Sequence, residues 1–385
     1  MTTGIAMKIL FVLSGATLVL LVLWEAFETI VFPHRVTRRF RLTRLFYRST
    51  WIFWSRTVRR FVTGRRQETY LSFYGPISLL LLLIFWATGL IIGFGLVHWA
   101  SGSPIKLPGE PVSLSTYLYL SGTTFFTLGL GDVVPHGPFG RGLTAFESGI
   151  GFGFLALVIG YLPALNQSFA RREVSISLLD ARAGSPPTAA EMLRRHARDR
   201  GMEALERLLH EWELWSAEVL ETHLSYPVLA YFRSQHDNQS WLGSLTAILD
   251  TCTLATVCLE STCQRQAELT FAMARHAVVD LAAIFNCPPR EPASDRLPQP
   301  EWAYLRTTLE AVGLKFRSNI DGQKLRELRR MYEPYINALS GYFGTSVPPW
   351  ILRESRTDNW QMTAWGKSSG FKEGSPKDDR KHRHF

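Results

Sequence analysis

The chain has 385 residues, of which 46% are hydrophobic, and a formal net charge of +9. This length suffices for one large or two medium domains, but the distribution of the apolar residues argues against a wholly soluble protein. Apolar runs at residues 5–32 and 72–99 each reach the roughly 20 residues that a helix needs to cross about 30 Å of hydrocarbon, and residues 143–169 are nearly as apolar.

The first apolar run predicts an N-terminal transmembrane helix within residues 1–33. A signal peptide is the alternative, because Lys8 precedes an apolar core, but the run lacks a small-x-small cleavage site. Glu25 and Glu28 share one face of this helix near its end. Since a carboxylate is costly at membrane depth, we expect them to pair with Arg35 or Arg38, in preference to a role in gating.

Residues 34–70 form a basic connector, with no acidic residue between Glu28 and Glu68. By the positive-inside rule the connector is cytoplasmic, so the N-terminus lies outside and everything after about residue 170 is cytoplasmic. These features predict a multi-pass protein of the plasma (inner) membrane. The arginines of the connector are Arg35, Arg38, Arg39, Arg41, Arg44, Arg48, Arg56, Arg59, Arg60, Arg65 and Arg66.

Apolar residues alternate with these arginines at near-helical spacing. This pattern, between two membrane spans, favours a helix in the headgroup layer, with anionic lipid headgroups bound along residues 35–66. Nucleic acid is the competing partner for a basic segment, and the interleaved Leu, Phe and Trp residues argue against it.

Between the second and third apolar runs lies a segment too short and too polar to cross a membrane. Ser113 is a plausible N-cap for a short helix over residues 114–126, and glycines and prolines follow it. A short helix followed by irregular backbone between two spans is typical of a re-entrant loop. Such backbone is tolerated at membrane depth only where protein shields it or where it lines a water-filled path.

The stretch "TLGLGD" at residues 127–132 has the chemistry of a cation site. A dehydrated monovalent cation needs rings of oxygen ligands, and backbone carbonyls supply them only where alternate residues adopt positive φ. Gly129 and Gly131 permit this, so we expect K+ to be held by the carbonyls of Thr127, Leu128, Gly129 and Leu130. Asp132 would place a carboxylate at the outer mouth and concentrate cations there.

"TLGLGDVVP" resembles the selectivity filter of the potassium channel superfamily, whose usual form is Thr-Val-Gly-Tyr-Gly-Asp with a proline three residues after the aspartate. Pro135 occupies that position, and the Gly140-Arg141 pair and Gly151 match the start and hinge of the family's inner helix. The resemblance covers about residues 72–170. It implies a pore domain at 71–170, with an outer helix at 72–99, a pore helix at 114–126, a filter at 127–132 and an inner helix at 140–169.

The filter differs from the family's usual form in ways that affect selectivity. Leu130 replaces a tyrosine, Phe126 replaces a threonine, and Thr123 stands where some simple channels have a glutamate behind the filter. The hydroxyl of Tyr119 is expected to bind Asp132 instead. Tyr119, Thr123 and Glu147 are therefore the predicted filter supports, with Glu147 either supporting the filter or facing the pore helix.

One pore loop per chain implies a homotetramer, because the ring needs four equivalent contributions. Helical spacing from the hinge Gly151 brings Leu155 and Ile159 near the axis, where apolar side chains can close a pore by dewetting. Pro163 either bends the inner helix or marks a packing kink. The permeant K+ is the only ligand expected, and no other cofactor is indicated.

The remaining residues predict an all-α cytoplasmic domain at 171–348 and a disordered polar tail at 349–385. The four cysteines match no zinc pattern and are interpreted as buried packing residues. No enzyme motif and no familiar regulatory module is visible, so an unknown cytoplasmic partner or ligand stays open.

Together these features predict an all-α membrane protein, a tetrameric pore-loop channel with an extra N-terminal span, that conducts potassium passively. Two alternatives remain. One is a weakly selective monovalent cation channel with the same filter, and the other is a non-conducting membrane sensor or scaffold whose helical domain binds a partner.

Overall fold

The computed structural model describes residues 2–32, 42–106, 112–198, 200–236, 238–260, 262–354 and 358–361. The chain divides into two compact units. The first comprises Met1–Arg171 with Glu221–Arg233, and the second comprises Arg172–Leu220 with Ser234–Phe385.

Within the described residues, three stretches of helix are long and apolar enough to cross a membrane: Ile5–Val31, Arg66–Ala100 and Pro138–Ala183. Helix α1 covers Thr2–Ala26 and continues as a π-helical turn over Phe27–Val31. Two of the three predicted spans therefore begin and end close to their apolar runs, and the third is longer than its run.

Helix α1 packs along helix α4, Tyr74–Ala100, through glycines on both helices. A Cβ atom on Gly15 would lie 2.7 Å from the Gly93 carbonyl oxygen, and one on Gly93 would lie 2.6 Å from Val19 Cγ2. A Cβ on Gly89, one turn earlier, would lie 3.0 Å from Val22 Cγ2. Small residues at such positions let two helix backbones approach closely in a membrane.

The basic connector folds as helix α2, Leu42–Phe61, and helix α3, Arg65–Ser72. Arg35 and Arg38, the predicted partners of Glu25 and Glu28, lie outside the described residues. Glu25 instead accepts hydrogen bonds from the backbone N–H groups of Leu42 and Thr43, both at 3.1 Å, and from the Thr43 hydroxyl at 2.8 Å. These bonds satisfy free N–H groups at the start of α2.

Helix α2 is amphipathic, with Tyr47 and Trp51 on its buried face. Both rings contact Tyr231, at centroid distances of 5.9 and 5.3 Å, and Trp51 also meets Tyr74 of α4 at 4.8 Å. Tyr231 ends a 3-10 turn, Pro227–Tyr231, in the segment of the first unit that returns from later in the chain. The opposite face of α2 exposes Arg44, Arg48, Arg56, Arg59 and Arg60.

The re-entrant segment consists of helix α5, Leu114–Phe125, between two short strands. Strand β1, Ile105–Lys106, pairs antiparallel with β2, Val134–Pro135, in the register Ile105 to Pro135. The pairing joins the chain before α5 to the chain after the glycine-rich stretch, so both ends of the segment are anchored.

Helix α6 runs without interruption over Pro138–Ala183, 46 residues. The prediction that the inner helix ends at residue 169 is wrong, because no glycine or proline follows Pro163 until Gly184, whose φ of 84° ends the helix. At about 1.5 Å per residue the helix is roughly 70 Å long, more than twice the thickness of a bilayer core.

The second unit is helical around a buried central helix, α9, Trp241–Val257, whose residues are all buried. A helix that is buried on every side belongs to a core, and α9 packs against α7, α10, α12 and α13. The other helices are α7 Ala189–Arg195, α8 Gly201–Ser225, α10 Gln264–Ile284, α11 Gln299–Ala311, α12 Gly322–Arg330 and α13 Glu333–Phe343, with a 3-10 turn at Asn359–Gln361.

A disordered tail beginning at residue 349 is contradicted for three buried residues, Trp350, Ile351 and Asp358, the last of which is 5% exposed. Trp350 is 1% exposed and Ile351 is 7% exposed. Trp350 lies beneath the guanidinium groups of Arg296 and Arg329, at 5.8 and 5.6 Å from the ring centre. Burial and cation–π attraction stabilise an aromatic ring that lies beneath two cations. The polar residues around Trp350 in the sequence gave no indication of these contacts. Residues 355–357 and 362–385 of the predicted tail lie outside the described residues.

The cysteines are Cys252, Cys258, Cys263 and Cys287, and all four are free and buried. Burial raises the pKa of the Cys258 thiol to about 12. A neutral buried thiol behaves as a small apolar side chain, which agrees with the packing role expected from the sequence.

Candidate functional site

Helix α5 is held in position from its first turn. The Ser113 backbone N–H donates to Thr116 Oγ1 at 3.2 Å, which caps the helix at the residue expected from the sequence. One turn later the buried Tyr117 hydroxyl donates to the Ser103 carbonyl at 2.7 Å, and its ring packs with Leu120 and Val133. The start of α5 is therefore attached to the loop that precedes it and to the chain beyond the glycines.

The backbone leaves the helix at Phe126 and enters an alternating conformation. The Thr127 N–H donates to the Thr124 carbonyl at 2.9 Å, and the Leu128 N–H donates to the Thr123 carbonyl at 2.8 Å. Positive φ angles then occur at every second residue: 56° at Thr127, 57° at Gly129 and 79° at Gly131. Such alternation is the backbone arrangement that the sequence predicted for rings of carbonyl ligands.

The side chains of this stretch are exposed in the single chain. Leu128 is 62% exposed and Leu130 is 63% exposed. A Cβ atom at Gly129 or Gly131 would meet nothing within 4 Å. The glycines are therefore required by their positive φ and not by a lack of space.

Asp132 closes the stretch and is bound by Tyr119. The Tyr119 hydroxyl donates to Asp132 Oδ2 at 2.7 Å, and the Val133 N–H donates to Asp132 Oδ1 at 3.0 Å. The hydrogen bond from Tyr119 is the main cause of a lowered pKa of Asp132. The carboxylate therefore stays charged, as attraction of cations would require.

Thr123, a predicted filter support, forms its side-chain hydrogen bond within the pore helix. Its hydroxyl donates to the Leu120 carbonyl at 3.0 Å, within α5 itself. Only its backbone carbonyl reaches the filter stretch, through the bond from Leu128 N–H.

Gly151 packs against the end of α5. A Cβ atom there would lie 2.0 Å from the Phe125 carbonyl oxygen and 2.8 Å from its carbon, so only glycine permits this contact. Phe125 is itself 2% exposed, and its ring meets Phe154 of α6 at 5.6 Å. Gly151, the predicted hinge, therefore contacts the pore helix, and α6 is continuous through this residue.

The predicted gate residues lie on an exposed part of α6. Leu155 is 54% exposed and Ile159 is 63% exposed in the single chain. Pro163 lies within the helix, which continues past it. The apolar side chains of α6 are therefore available to face other copies of the chain or a central path.

Glu147 is fully buried where α4, α5 and α6 meet. The Ser121 hydroxyl contacts Glu147 Oε1 and also lies 2.9 Å from the Ile91 carbonyl of α4. His98 Nε2, also 0% exposed, lies 3.7 Å from Glu147 Oε2. This geometry places Glu147 against the pore helix.

Sequence reasoning missed His98 and Ser121. The available signal for His98 was one titratable residue at the end of an otherwise apolar span. Ser121 gave no signal, because serine is ordinary in a short helix and its partners are 26 and 30 residues away.

Comparisons with known proteins agree with this geometry. Residues 77–167 match the family model described as "Ion channel", which covers α5, the glycine-rich stretch and most of the two flanking apolar helices. The chain is also 28% identical over 191 residues to the "Uncharacterized membrane protein YdjJ" of Bacillus subtilis (strain 168), covering 47% of this chain and 52% of the relative. The chain thus spans about half the length of that relative. No solved structure matches this chain. Residues 77–167 are therefore similar to the ion channel family, and the resemblance drawn from the sequence is confirmed over that segment.

Proposed function

We propose that the protein conducts potassium passively through a homotetrameric pore whose selectivity filter is residues 127–132. The observation that carries the proposal is the alternation of positive φ at Thr127, Gly129 and Gly131, directly after a short helix between two apolar helices. No covalent chemistry is needed, because the ion only exchanges water for protein oxygens.

The carbonyl oxygens of Thr127, Leu128, Gly129 and Leu130 are the proposed potassium ligands. With one loop from each of four chains, every residue of the stretch supplies a ring of four oxygens. Asp132, kept ionised by Tyr119, adds four negative charges at the mouth and raises the local cation concentration.

A tetramer is supported by the exposed apolar surface near the filter. Phe126, Phe146 and Phe152 are each about 60% exposed or more in the single chain. Exposed large apolar groups in this domain are available to pack against other copies of the chain. In the proposed assembly Leu155 and Ile159 of four α6 helices surround the path and close it by dewetting.

The proposed membrane is the plasma (inner) membrane, with the N-terminus outside and the second unit in the cytoplasm. The exposed arginines of α2 support this orientation, because basic connectors stay on the cytoplasmic side. The same arginines lie beside the exposed rings of Phe53 and Phe61, 73% and 77% exposed, a combination suited to anionic headgroups.

A weakly selective cation channel is the second candidate, and Leu130 favours it. Its side chain has no hydroxyl with which to anchor the filter to the surrounding pore helices, and Phe126 also lacks one. A filter with fewer lateral bonds holds the spacing of its oxygens less firmly, which weakens discrimination between K+ and Na+.

The proposal is tested by Gly129→Ala in reconstituted full-length protein. We expect selective potassium flux to be lost while the tetramer persists, because alanine resists the φ of 57° and nothing crowds its Cβ. Gly64→Ala is the matched control, since Gly64 also has a positive φ, 71°, and open surroundings, but lies between α2 and α3. Unchanged selectivity in Gly129→Ala would contradict the filter assignment.

A further inference from the structure

Three buried polar side chains from three different helices meet behind the glycine-rich stretch. His98 belongs to α4, Ser121 to α5 and Glu147 to α6, and each is 0% exposed. Buried polar groups in a membrane domain are costly unless they satisfy one another, so their convergence has a physical cause.

Ser121 makes two contacts that depend on the protonation of Glu147. A hydroxyl carries one hydrogen, yet Ser121 Oγ lies 2.9 Å from the Ile91 carbonyl and also contacts Glu147 Oε1. A carbonyl can only accept. If Ser121 donates to Ile91, then the bond to Glu147 requires a protonated carboxyl that donates to Ser121. The chain of bonds then runs from α6 through α5 to α4.

The position of His98 agrees with a neutral carboxyl. Its Nε2 lies 3.7 Å from Glu147 Oε2, which is longer than a hydrogen bond between an imidazole and a carboxylate.

Close backbone contacts surround the same group. A Cβ atom on Gly95 of α4 would lie 2.7 Å from Leu118 of α5, and one on Gly151 of α6 would lie 2.0 Å from the Phe125 carbonyl. The pore helix is thus packed tightly on both sides, and the polar group lies between these contacts along α5. Packing resists compression, whereas directional hydrogen bonds resist rotation and sliding.

We propose that Ser121 and a protonated Glu147 form one electrically neutral hydrogen-bonded unit, packed against His98, that fixes the pore helix between the outer and inner helices and thereby positions the filter for selective conduction. This rests on the proposed function for its effect on selectivity. All three are positioning residues, since none lies in the glycine-rich stretch itself.

The test compares Ser121→Ala, Glu147→Leu and Glu147→Gln in the full-length protein. We expect the first two to lower the permeability ratio of K+ to Na+ by roughly tenfold or more, because each leaves a buried group without its partner. Their double variant should fall no lower than the worse single variant. Glu147→Gln should stay within about twofold of wild type, because the amide N–H replaces the carboxyl proton as the donor to Ser121.

His98→Leu alone should lower the permeability ratio of K+ to Na+. Combined with Glu147→Leu, it should lower that ratio no further than Glu147→Leu does alone. Ser115→Ala is the control, because Ser115 lies on the same helix but is exposed. If Ser121→Ala kept the wild-type permeability ratio of K+ to Na+, the proposed unit would be wrong. If Glu147→Gln lowered that ratio as far as Glu147→Leu does, with the tetramer intact, the proposal that the Glu147 carboxyl is neutral would be wrong.

Thermal unfolding of the same variants separates this inference from the proposed function. If the wild-type protein conducted no potassium, the proposed function would be wrong. The thermal midpoints of the variants would still measure the contacts among His98, Ser121 and Glu147. Losses that do not add in the Ser121→Ala and Glu147→Leu double variant would support the unit, and additive losses would overturn it.

Discussion

The bond between Tyr119 and Asp132 shows how a single side chain sets the charge at the end of the glycine-rich stretch. The hydroxyl donates to Asp132 Oδ2 at 2.7 Å, and this bond is the first cause of the lowered pKa of the carboxyl. The same bond raises the pKa of Tyr119. The Tyr119 hydroxyl therefore stays protonated and the Asp132 carboxylate stays ionised, as the hydrogen bond between them requires. Asp132 therefore remains negative over a wider pH range than an isolated aspartate.

Replacement of Tyr119 by phenylalanine tests this effect. Without the hydroxyl, the pKa of Asp132 returns upward toward its ordinary value. Protonation on acidification then begins at a higher pH. We expect the pH at which potassium flux falls by half, titrated on the side of the filter mouth, to move upward in Tyr119→Phe.

Tyr304→Phe controls for the loss of a phenol, since Tyr304 is exposed and lies on α11. An unchanged acid midpoint in Tyr119→Phe would show that the bond does not set the charge at the mouth.

At the scale of single residues, some parts of the site were predictable and others were not. Local sequence carries the glycine-rich stretch, because two glycines, the end of the preceding helix and a following aspartate lie within ten residues. The bond from Tyr119 was also predictable, since it spans only 13 residues. His98 and Glu147 are 49 positions apart, and nothing in the spacing of apolar residues indicates that two distant spans bring them together.

At the scale of elements, the contact between α1 and α4 is set by glycine. The backbone oxygen of Gly93 occupies the space that a Cβ on Gly15 would need, at 2.7 Å. A rigid backbone atom cannot move aside as a flexible side chain can, so the two helices would have to separate.

Gly15→Ala is therefore expected to destabilise the protein by about 1–3 kcal/mol, although alanine favours helix more than glycine does. The loss is measured as a lower thermal midpoint in detergent. In Gly341→Ala, where a Cβ on α13 meets nothing within 4 Å, the midpoint should hold or rise. Equal midpoints for Gly15→Ala and wild type would show that α1 is not closely packed on α4.

Element starts were easier to predict than element ends. Ser113 lies at the beginning of α5, where the sequence predicted the cap, and its backbone N–H donates to Thr116 Oγ1. Where α6 ends depends on Gly184, because the charged residues after the apolar run are as compatible with helix as the apolar ones. The hydropathy of the sequence indicates which residues can cross a membrane, but it does not indicate where helix α6 ends.

At the scale of the whole molecule, the second unit shows what the sequence conceals. Arg296 binds Asp250 at 2.7 Å, across 46 residues, and Glu333 at 3.1 Å. Tyr332, fully buried, donates to Asp250 Oδ1 at 2.5 Å. Helical patterning predicted that this unit is all-α. No local pattern predicts which distant charged residues pair in its core, or that the Trp350 ring packs against Arg296 and Arg329.

The first unit likewise depends on residues far along the chain. Tyr231 meets Tyr47, Trp51 and Tyr74, so the segment at 221–233 belongs to the same compact unit as the apolar helices. A division of the sequence at residue 170 could not show this, because the segment is too short to span a membrane and lies far from the spans in the sequence.

The central claim concerns which ion the assembled molecule conducts. The most direct test is the reversal potential of purified full-length protein in a bilayer with potassium on one side and sodium on the other. The account predicts a potential close to the potassium equilibrium value, as four aligned loops of carbonyl oxygens should give. A reversal potential near zero in a conducting protein would contradict it and favour the weakly selective channel.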